Sequence, residues 1–369
     1  MRFHWMALAS LASIFAVTGS ASAREADDDH GGRAVYVLSN DAGANSVLVF
    51  DRARDGSLHA AGGVATGGTG SGGGLGTQGA LTASRDGRWL FAVNPGSHSV
   101  SALRREHDGT LTLVDVADSG GDLPASVTES GGLVYVLNTG ARQNISGLTF
   151  DGAHLRTIPG STRPLSSPEN VGAAQIAFTP DAEALVVTEK GTNRIDGFVV
   201  RLDGTPGDAV VTASSGQTPF GFAFGRRGTL VVSDAYGGAP GAGALSSYHL
   251  DDGASAHLVT GPLADGRTAP CWVAVADEGR IAFTTNAHDG TLSSFAIGSD
   301  GSLTLVESIA TSIGSTSTPL DLDVAGAYVY VRDGGTQGID IFRRGADGTL
   351  TSLGAIDGLP ASANGLVAR

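Results

Sequence analysis

Short apolar runs return along this chain at a regular interval. Val35-Tyr36-Val37, Leu90-Phe91-Ala92-Val93, Val134-Tyr135-Val136, Leu185-Val186-Val187, Leu230-Val231-Val232, Ile281-Ala282-Phe283 and Tyr328-Val329-Tyr330 are rich in β-branched and aromatic residues, and turn residues bound each of them. Runs of this kind predict buried strands. After each comes a polar loop, then a second alternating run such as Val100-Ser101-Ala102-Leu103, then an Asp-Gly turn. Asp347-Gly348-Thr349-Leu350 is the fullest turn. Asp108-Gly109-Thr110-Leu111 and Asp300-Gly301-Ser302-Leu303 nearly repeat it, and looser forms stand at Asp55-Gly56, Asp151-Gly152, Asp203-Gly204 and Asp252-Gly253. Asp-Gly between alternating runs marks a tight hairpin, because glycine enters the left-handed region without a Cβ clash. About seven such turns, roughly 43 to 53 residues apart, have the period of a propeller array. No amphipathic helical stretch of useful length interrupts them. The pattern predicts an all-β, seven-bladed β-propeller with four-stranded blades over residues 33–369.

Six innermost strands are legible, from Thr77 to Ala83, Pro124 to Thr128, Ala173 to Phe178, Pro219 to Phe224, Pro270 to Val275 and Pro319 to Val324. The first blade has none before it. The missing one stands at the other end, in Pro360-Ala361-Ser362-Ala363-Asn364-Gly365-Leu366-Val367. The C-terminal strand is therefore expected to join the first blade and remove the open edges of the ring. Two inserts, Gly67 to Gly76 and Tyr236 to Ala244, read as mobile loops. Gly68-x-Gly70-x-x-Gly73 has the spacing of a dinucleotide fingerprint, but no helix or βαβ unit surrounds it.

The N-terminus reads differently. Arg2 and His4 form a short polar region, Trp5 to Val17 an apolar one, and Ala21-Ser22-Ala23 a small-residue cleavage pattern. Residues 1–23 are expected to be a signal peptide and 24–32 a disordered polar leader, which implies a secreted or periplasmic protein. The competing reading, a membrane anchor, needs a longer apolar run. A formal net charge of −14 with a single lysine, Lys190, argues against nucleic-acid binding. The one cysteine, Cys271, allows no internal disulfide and reads as a buried, inert thiol.

Chemistry is expected where loops joining second to third strands, and those leading into innermost strands, gather at one mouth of the channel. They carry Asn94 and His98, Asn138 and Arg142, Glu189 and Lys190, Asn286 and His288, and Asp333, with Gln175 and Trp272 on the innermost strands. Asn and Asp at strand ends also bond their own loop backbone, which accounts equally for any one of them. Without HExxH, or a His pair at helical spacing, zinc is not expected. No cofactor is implied; the oxygen-rich mouth is compatible with Ca²⁺ without demanding it. GxSxG is absent too, with no helix to carry a nucleophile elbow.

Three phrases carry a family likeness: Gly87-Arg88-Trp89-Leu90-Phe91-Ala92-Val93-Asn94, Ala177-Phe178-Thr179-Pro180-Asp181, and Ser293-Ser294-Phe295-Ala296-Ile297 followed by Asp300-Gly301-Ser302-Leu303-Thr304-Leu305. Here the chain resembles the seven-bladed lactonase family of 6-phosphogluconolactonase-type propellers and 3-carboxymuconate cyclases, over nearly all of residues 33–369. The resemblance implies a Gly-Pro-Arg-His phrase where this chain has Gly172-Ala173-Ala174-Gln175, a glutamate that Glu189 matches, and an Asn-Arg pair where Asn286-Ala287 is followed by His288. A retained carboxylate without the Arg-His pair implies action on a small, uncharged lactone rather than a phosphorylated sugar lactone. On this reading Glu189, His288 and Arg142 are catalytic, and Gln175, Asn94, His98, Asn138, Trp272, Asn286 and Asp333 bind substrate. The alternative is a non-catalytic propeller that binds a small ligand or a protein partner on its loop face. Either way the chain is expected to be a monomer without a membrane span.

Overall fold

The computed structural model describes residues 32–167 and 171–369. The signal peptide expected at 1–23, and the leader expected at 24–32 apart from Gly32, fall outside the described residues. Seven antiparallel sheets stand in a ring, and helix among the described residues is confined to four single 3-10 turns. Six blades run in chain order from the innermost strand outward: Leu81–Ala83 to Leu111–Asp118, Pro124–Ser130 to Leu155–Thr157, Ala173–Phe178 to Val210–Ala213, Pro219–Phe224 to Ala256–Ala264, Pro270–Ala276 to Leu303–Ser312, and Pro319–Ala325 to Leu350–Asp357. The outer edge of the third blade is broken: Leu155–Thr157 pairs with one end of Asn144–Phe150 and Arg163–Pro164 with the other.

The first blade is built from both ends of the chain. Asn364–Ala368 lies innermost, followed by Ala34–Leu38, Ser46–Arg52 and Leu58–Ala65. Val35 faces Ala368, Tyr36 faces Val367 and Val37 faces Leu366. The pairing ends in reciprocal backbone bonds between Ala34 and Arg369, at 2.9 and 2.8 Å.

The two recurring sequence phrases meet across blade boundaries. In the Asp-Gly turns, Asp55, Asp108, Asp203, Asp300 and Asp347 each accept bonds from the backbone N–H and the hydroxyl of the Ser or Thr two residues on. Each intervening glycine is left-handed, with φ between 78° and 90°. In the fifth blade the position shifts: Asp251 accepts the bonds, and Ala254 rather than Gly253 is left-handed, at φ 64°. A tyrosine of an apolar run then donates to the turn of the next blade. Tyr36 Oη reaches the Gly109 carbonyl at 2.7 Å, Tyr330 Oη the Gly56 carbonyl at 2.9 Å, and Tyr135 Oη the Gly204 carbonyl.

Innermost strands expose backbone N–H groups to the channel, and the preceding blade satisfies several of them. Ser126 Oγ accepts from Ile176 N at 3.1 Å, Thr128 Oγ1 from Phe178 N at 3.2 Å, Asp321 Oδ2 from Leu366 N at 3.2 Å and Asp323 Oδ2 from Ala368 N at 2.9 Å.

Candidate functional site

One position recurs at the end of the second strand in six blades: Asn94, Asn138, Glu189, Asp234, Asn286 and Asp333. All six are fully buried. On the third strand, opposite the residue two places earlier, stand Ser101, Ser146, Asp196, Ser246, Ser293 and Asp340. Residues two apart share a strand face, so the two series meet. Asn94 Nδ2 donates to Ser101 Oγ at 2.7 Å, Asn286 Nδ2 to Ser293 Oγ at 2.9 Å, and Ser246 Oγ to Asp234 Oδ2 at 2.5 Å. The preceding blade closes the contact: Thr66 Oγ1 donates to Asn94 Oδ1 at 2.6 Å, Asn138 Nδ2 to the Ser119 carbonyl at 3.0 Å, and Ser293 Oγ to Asp265 Oδ2 at 3.0 Å. A neutral Asn-Ser pair is enough to clasp neighbouring blades.

The fourth blade departs from that pattern by placing two carboxyl groups in one clasp. Glu189 and Asp196 are both fully buried. Burial, then the neighbouring Glu189, pushes the Asp196 carboxyl up to about 8. At neutral pH Asp196 therefore holds a proton. Ser166 N donates to Glu189 Oε1 and to Asp196 Oδ2, each at 2.9 Å. Ser166 Oγ donates to Glu189 Oε2 at 2.5 Å, Thr192 Oγ1 donates to the same oxygen, and Arg194 Nη1 donates to Ser166 Oγ at 3.0 Å. A half-buried hydroxyl thus lies between a carboxylate and a guanidinium. The clasp does not need this arrangement, and burying a second carboxyl opposes folding.

Next to this pair the channel is crossed by the segment that composition alone suggested would be mobile. Asn40 holds the glycine-rich insert through Nδ2 to the Gly73 carbonyl at 2.6 Å and Oδ1 from Ser71 N at 2.9 Å. The following residues reach three other blades. Lys190 Nζ donates to the Gly76 carbonyl at 2.5 Å, Trp272 Nε1 to the Thr77 carbonyl at 3.0 Å, and Thr77 Oγ1 to the Ala125 carbonyl at 2.9 Å. Gln78 bonds the Val273 backbone at both ends, 2.8 and 3.1 Å. Lys190 Nζ also lies 4.6 Å from the Phe220 ring centroid, and Phe220 and Trp272 are 4.9 Å apart. Burial holds the Lys190 ammonium below the usual lysine range and pushes the Cys271 thiol up to about 12. Beneath this strap lies a cavity of about 230 Å³ lined in part by Gln78, Gln175, Asp321, Asp323 and Arg369. The second insert is bonded too, from Gly241 N to Thr268 Oγ1 at 3.1 Å and Gly243 N to the Arg267 carbonyl at 2.8 Å.

The residues singled out from sequence are dispersed. Asn94, Asn138, Asn286 and Asp333 occupy clasps and present no side-chain surface to solvent. Gln175 bonds the Phe222 backbone at both ends, 3.0 and 2.7 Å. Trp272 holds the strap. His98 is left-handed at φ 53° and accepts Leu123 N through Nδ1 at 3.0 Å. Arg142 is exposed on a third-blade loop, and His288 is exposed beside Gly238. Among the described residues no hydrogen bond or ion pair joins Glu189, Arg142, His288 and Gln175 to one another. The partners that Glu189 does have were not legible. Ser166 arrives from a loop 23 residues earlier, and Asp196 is recognisable only against the serine that four other blades carry there.

A family model described as lactonase, seven-bladed β-propeller, matches residues 7–154 and 235–358. Among solved structures, a Bacteroides uniformis protein described as a candidate 6-phosphogluconolactonase is 18% identical, with a TM-score of 0.72, covering 91% of this chain and 100% of its own. The Pseudomonas aeruginosa periplasmic gluconolactonase is 17% identical, with a TM-score of 0.65, covering 91% and 99%. A Desulfotomaculum acetoxidans protein of unknown function is 14% identical, with a TM-score of 0.70, covering 91% and 98%. At these identities the likeness is one of fold. No curated protein matches the sequence.

Proposed function

Because the chain belongs to the lactonase family of seven-bladed β-propellers, we propose that it hydrolyses a small, uncharged lactone-type ring at the fourth blade, beside the channel mouth. One observation carries this reading: Ser166 Oγ lies 2.5 Å from Glu189 Oε2 and 3.0 Å from Arg194 Nη1. A hydroxyl donating to a carboxylate, with a cation beside it, has the parts of an activated nucleophile. Glu189 takes the hydroxyl proton as Ser166 Oγ attacks the ring carbonyl. Arg194 stabilises the oxyanion that forms. Glu189 returns the proton to the ring oxygen as the C–O bond opens, then draws a proton from the water that attacks the acyl carbon and passes it to Ser166 Oγ as the ester bond to Ser166 breaks. Protonated Asp196 holds Glu189 in place. Arg142 and His288, exposed on the loops of the third and sixth blades, are available to orient the substrate.

An uncharged ring fits the residues better than a phosphorylated one. Ala174 and Gln175 stand where the family resemblance implied an Arg-His pair, and the Lys190 ammonium is already engaged by Gly76 and Phe220. We also propose export, on the strength of the N-terminal pattern ending in Ala21-Ser22-Ala23. Turnover of a panel of neutral lactones tests the reading. Ser166→Ala and Glu189→Gln should each lower kcat by about 10²-fold or more while leaving the fold intact.

The full burial of Glu189, together with Gln175 in place of a charged residue, favours a second reading: a propeller that binds such a ring without opening it. A lactone that raises the melting temperature but is recovered unchanged would support that alternative.

A further inference from the structure

Two blade boundaries pack the start of a second strand tightly beneath the Asp-Gly turn of the next blade. A Cβ added to Gly204 would fall 2.9 Å from Leu133 Cδ2, and one added to Gly56 2.4 Å from the Tyr328 ring. The same boundaries are bonded by Tyr135 and Tyr330, which donate to the carbonyls of Gly204 and Gly56. The boundary between the second and third blades has neither feature. Trp89 stands where those blades have Leu133 and Tyr328, and the nearest atom to a Cβ added to Gly152 is its Cζ2, at 3.8 Å. Phe91 stands where the tyrosines do and has no hydroxyl to donate. A hollow of about 760 Å³ opens here instead. Its loops join first to second and third to fourth strands, so it lies on the face opposite the channel mouth.

The floor of the hollow is rigid and its rim is balanced in charge. Trp89 is half-buried and held edge-to-face on Phe150, with centroids 4.8 Å apart, and Phe150 meets Phe91 at 5.4 Å. Arg85 and Arg88 line the hollow, yet neither is stacked on the indole; among the described residues the one cation held over a ring is Lys190 on Phe220. Trp89 donates through its backbone N to Ser84 Oγ, while its Nε1 meets no acceptor among the described residues. At the rim, Arg88 Nε is paired with Asp86 Oδ2 at 2.6 Å, and Arg156 Nη1 with Asp151 Oδ2 at 2.5 Å. Glu129 and Arg85 are left. Glu129 Oε1 accepts Gly132 N at 2.8 Å, no cation pairs with it among the described residues, and burial holds its carboxyl above the usual range. Arg85 spends Nη1 on the Pro180 carbonyl at 3.0 Å. Both residues also line an adjoining hollow of about 290 Å³ that runs to Thr179 and Pro180.

We propose that this face binds a neutral saccharide, with one pyranose ring laid on Trp89 and a second reaching toward Thr179. The C–H face of a pyranose is apolar and covers an indole, while the hydroxyls at its edge both donate and accept. Glu129 accepts from such hydroxyls, and Arg85 and Trp89 Nε1 donate to them. Because the rim charges balance, the hollow offers no excess of either sign to a charged ligand. Its volume suits a ligand of disaccharide size. The site shares no residue with the fourth-blade clasp and is independent of the lactone reading.

Calorimetric titration of the full chain with cellobiose tests the proposal, with choline chloride and sodium acetate as charged probes. The wild type should bind cellobiose with a Kd on the order of 1 mM and neither charged probe. Trp89→Leu, which copies the residue of the third blade, should weaken binding about 10-fold or more. Glu129→Gln keeps the shape of the rim and should weaken it severalfold; this variant decides the matter if Trp89→Leu fails to melt cooperatively. Absence of cellobiose binding in the wild type would overturn the proposal, as would undiminished binding in Glu129→Gln or in folded Trp89→Leu. Binding of choline or acetate in place of cellobiose would refute a neutral ligand. Cellobiose binding lost in Ser166→Ala but kept in Trp89→Leu would place the sugar at the fourth blade and equally refute it.

Discussion

Tyr330 in the seventh blade donates its hydroxyl to the carbonyl of Gly56 in the first, 2.9 Å away and 274 residues apart in the chain. This bond crosses the seam where the two ends of the chain meet, and it repeats the contacts of Tyr36 with Gly109 and Tyr135 with Gly204. The seam is thus closed both by strand pairing, through Asn364–Ala368, and by the device that joins other blades. Truncation before Leu359 should abolish cooperative unfolding, followed by circular dichroism during thermal melting. Tyr330→Phe should cost only about 1–2 kcal/mol, the value of one buried hydrogen bond. A truncated chain that melts cooperatively at the wild-type temperature would contradict the closure.

The clasps make a separate prediction. Asn94 is fully buried and bonds Asn45, Thr66, Ser99 and Ser101. Asn94→Ala removes those bonds and strands their partners, so a loss of about 2–4 kcal/mol is expected in urea unfolding. Asn94→Asp, which copies the fifth blade, should be tolerated better at pH 5 than at pH 8, because a carboxyl in this position is buried most easily in its neutral form.

Stability should depend on pH in an unusual direction. Burial raises Asp234, Asp321 and Asp340 to about 7 and, with Glu189, raises Asp196 to about 8. In the unfolded chain these groups titrate near 4. Between roughly pH 4 and 8 the folded state therefore binds more protons than the unfolded state, and stability rises as pH falls. The contribution is complete below the unfolded values and is lost as pH rises through 7 to 8. The exposed turn aspartates, held low mainly by their own hydroxyl and backbone donors, act oppositely but only below about pH 4. Calorimetry should show a higher Tm at pH 5 than at pH 8. A flat profile, or a fall toward pH 5, would contradict the raised carboxyls.

The strap across the channel predicts a spectroscopic change. Gln78→Ala removes two bonds to Val273 and loosens the carbonyl of Thr77 on Trp272. Tryptophan emission should shift to the red as Trp272 gains water, with a modest loss of stability. Unchanged emission would mean that the neighbouring contacts of Lys190 and Thr77 hold the strap without Gln78.

The architecture could be read from sequence because its signals are local. Asp-Gly turns, Val-Tyr-Val runs and the phrase from Pro360 to Val367 each occupy a few consecutive residues. The candidate site could not be read so fully. Glu189 was legible, yet Ser166, Asp196 and Arg194 come together only through strand pairing and a loop from the third blade. Asn94 and Asn286 looked like mouth residues because strand ends usually face loops, whereas here the pleat turns them into the blade interface. The glycine-rich insert suggested motion from composition, but the carbonyls of its last residue, Gly76, and of Thr77 just after it meet donors from residues as distant as Lys190 and Trp272.

The most direct test is single-turnover assay of a neutral lactone panel with the wild type, Ser166→Ala and Glu189→Gln, each first shown to melt cooperatively. The account predicts ring opening by the wild type, an acyl group trapped on Ser166 at early times, and loss of about 10²-fold or more in both variants. Ring opening that continues unchanged in Ser166→Ala or Glu189→Gln would contradict it.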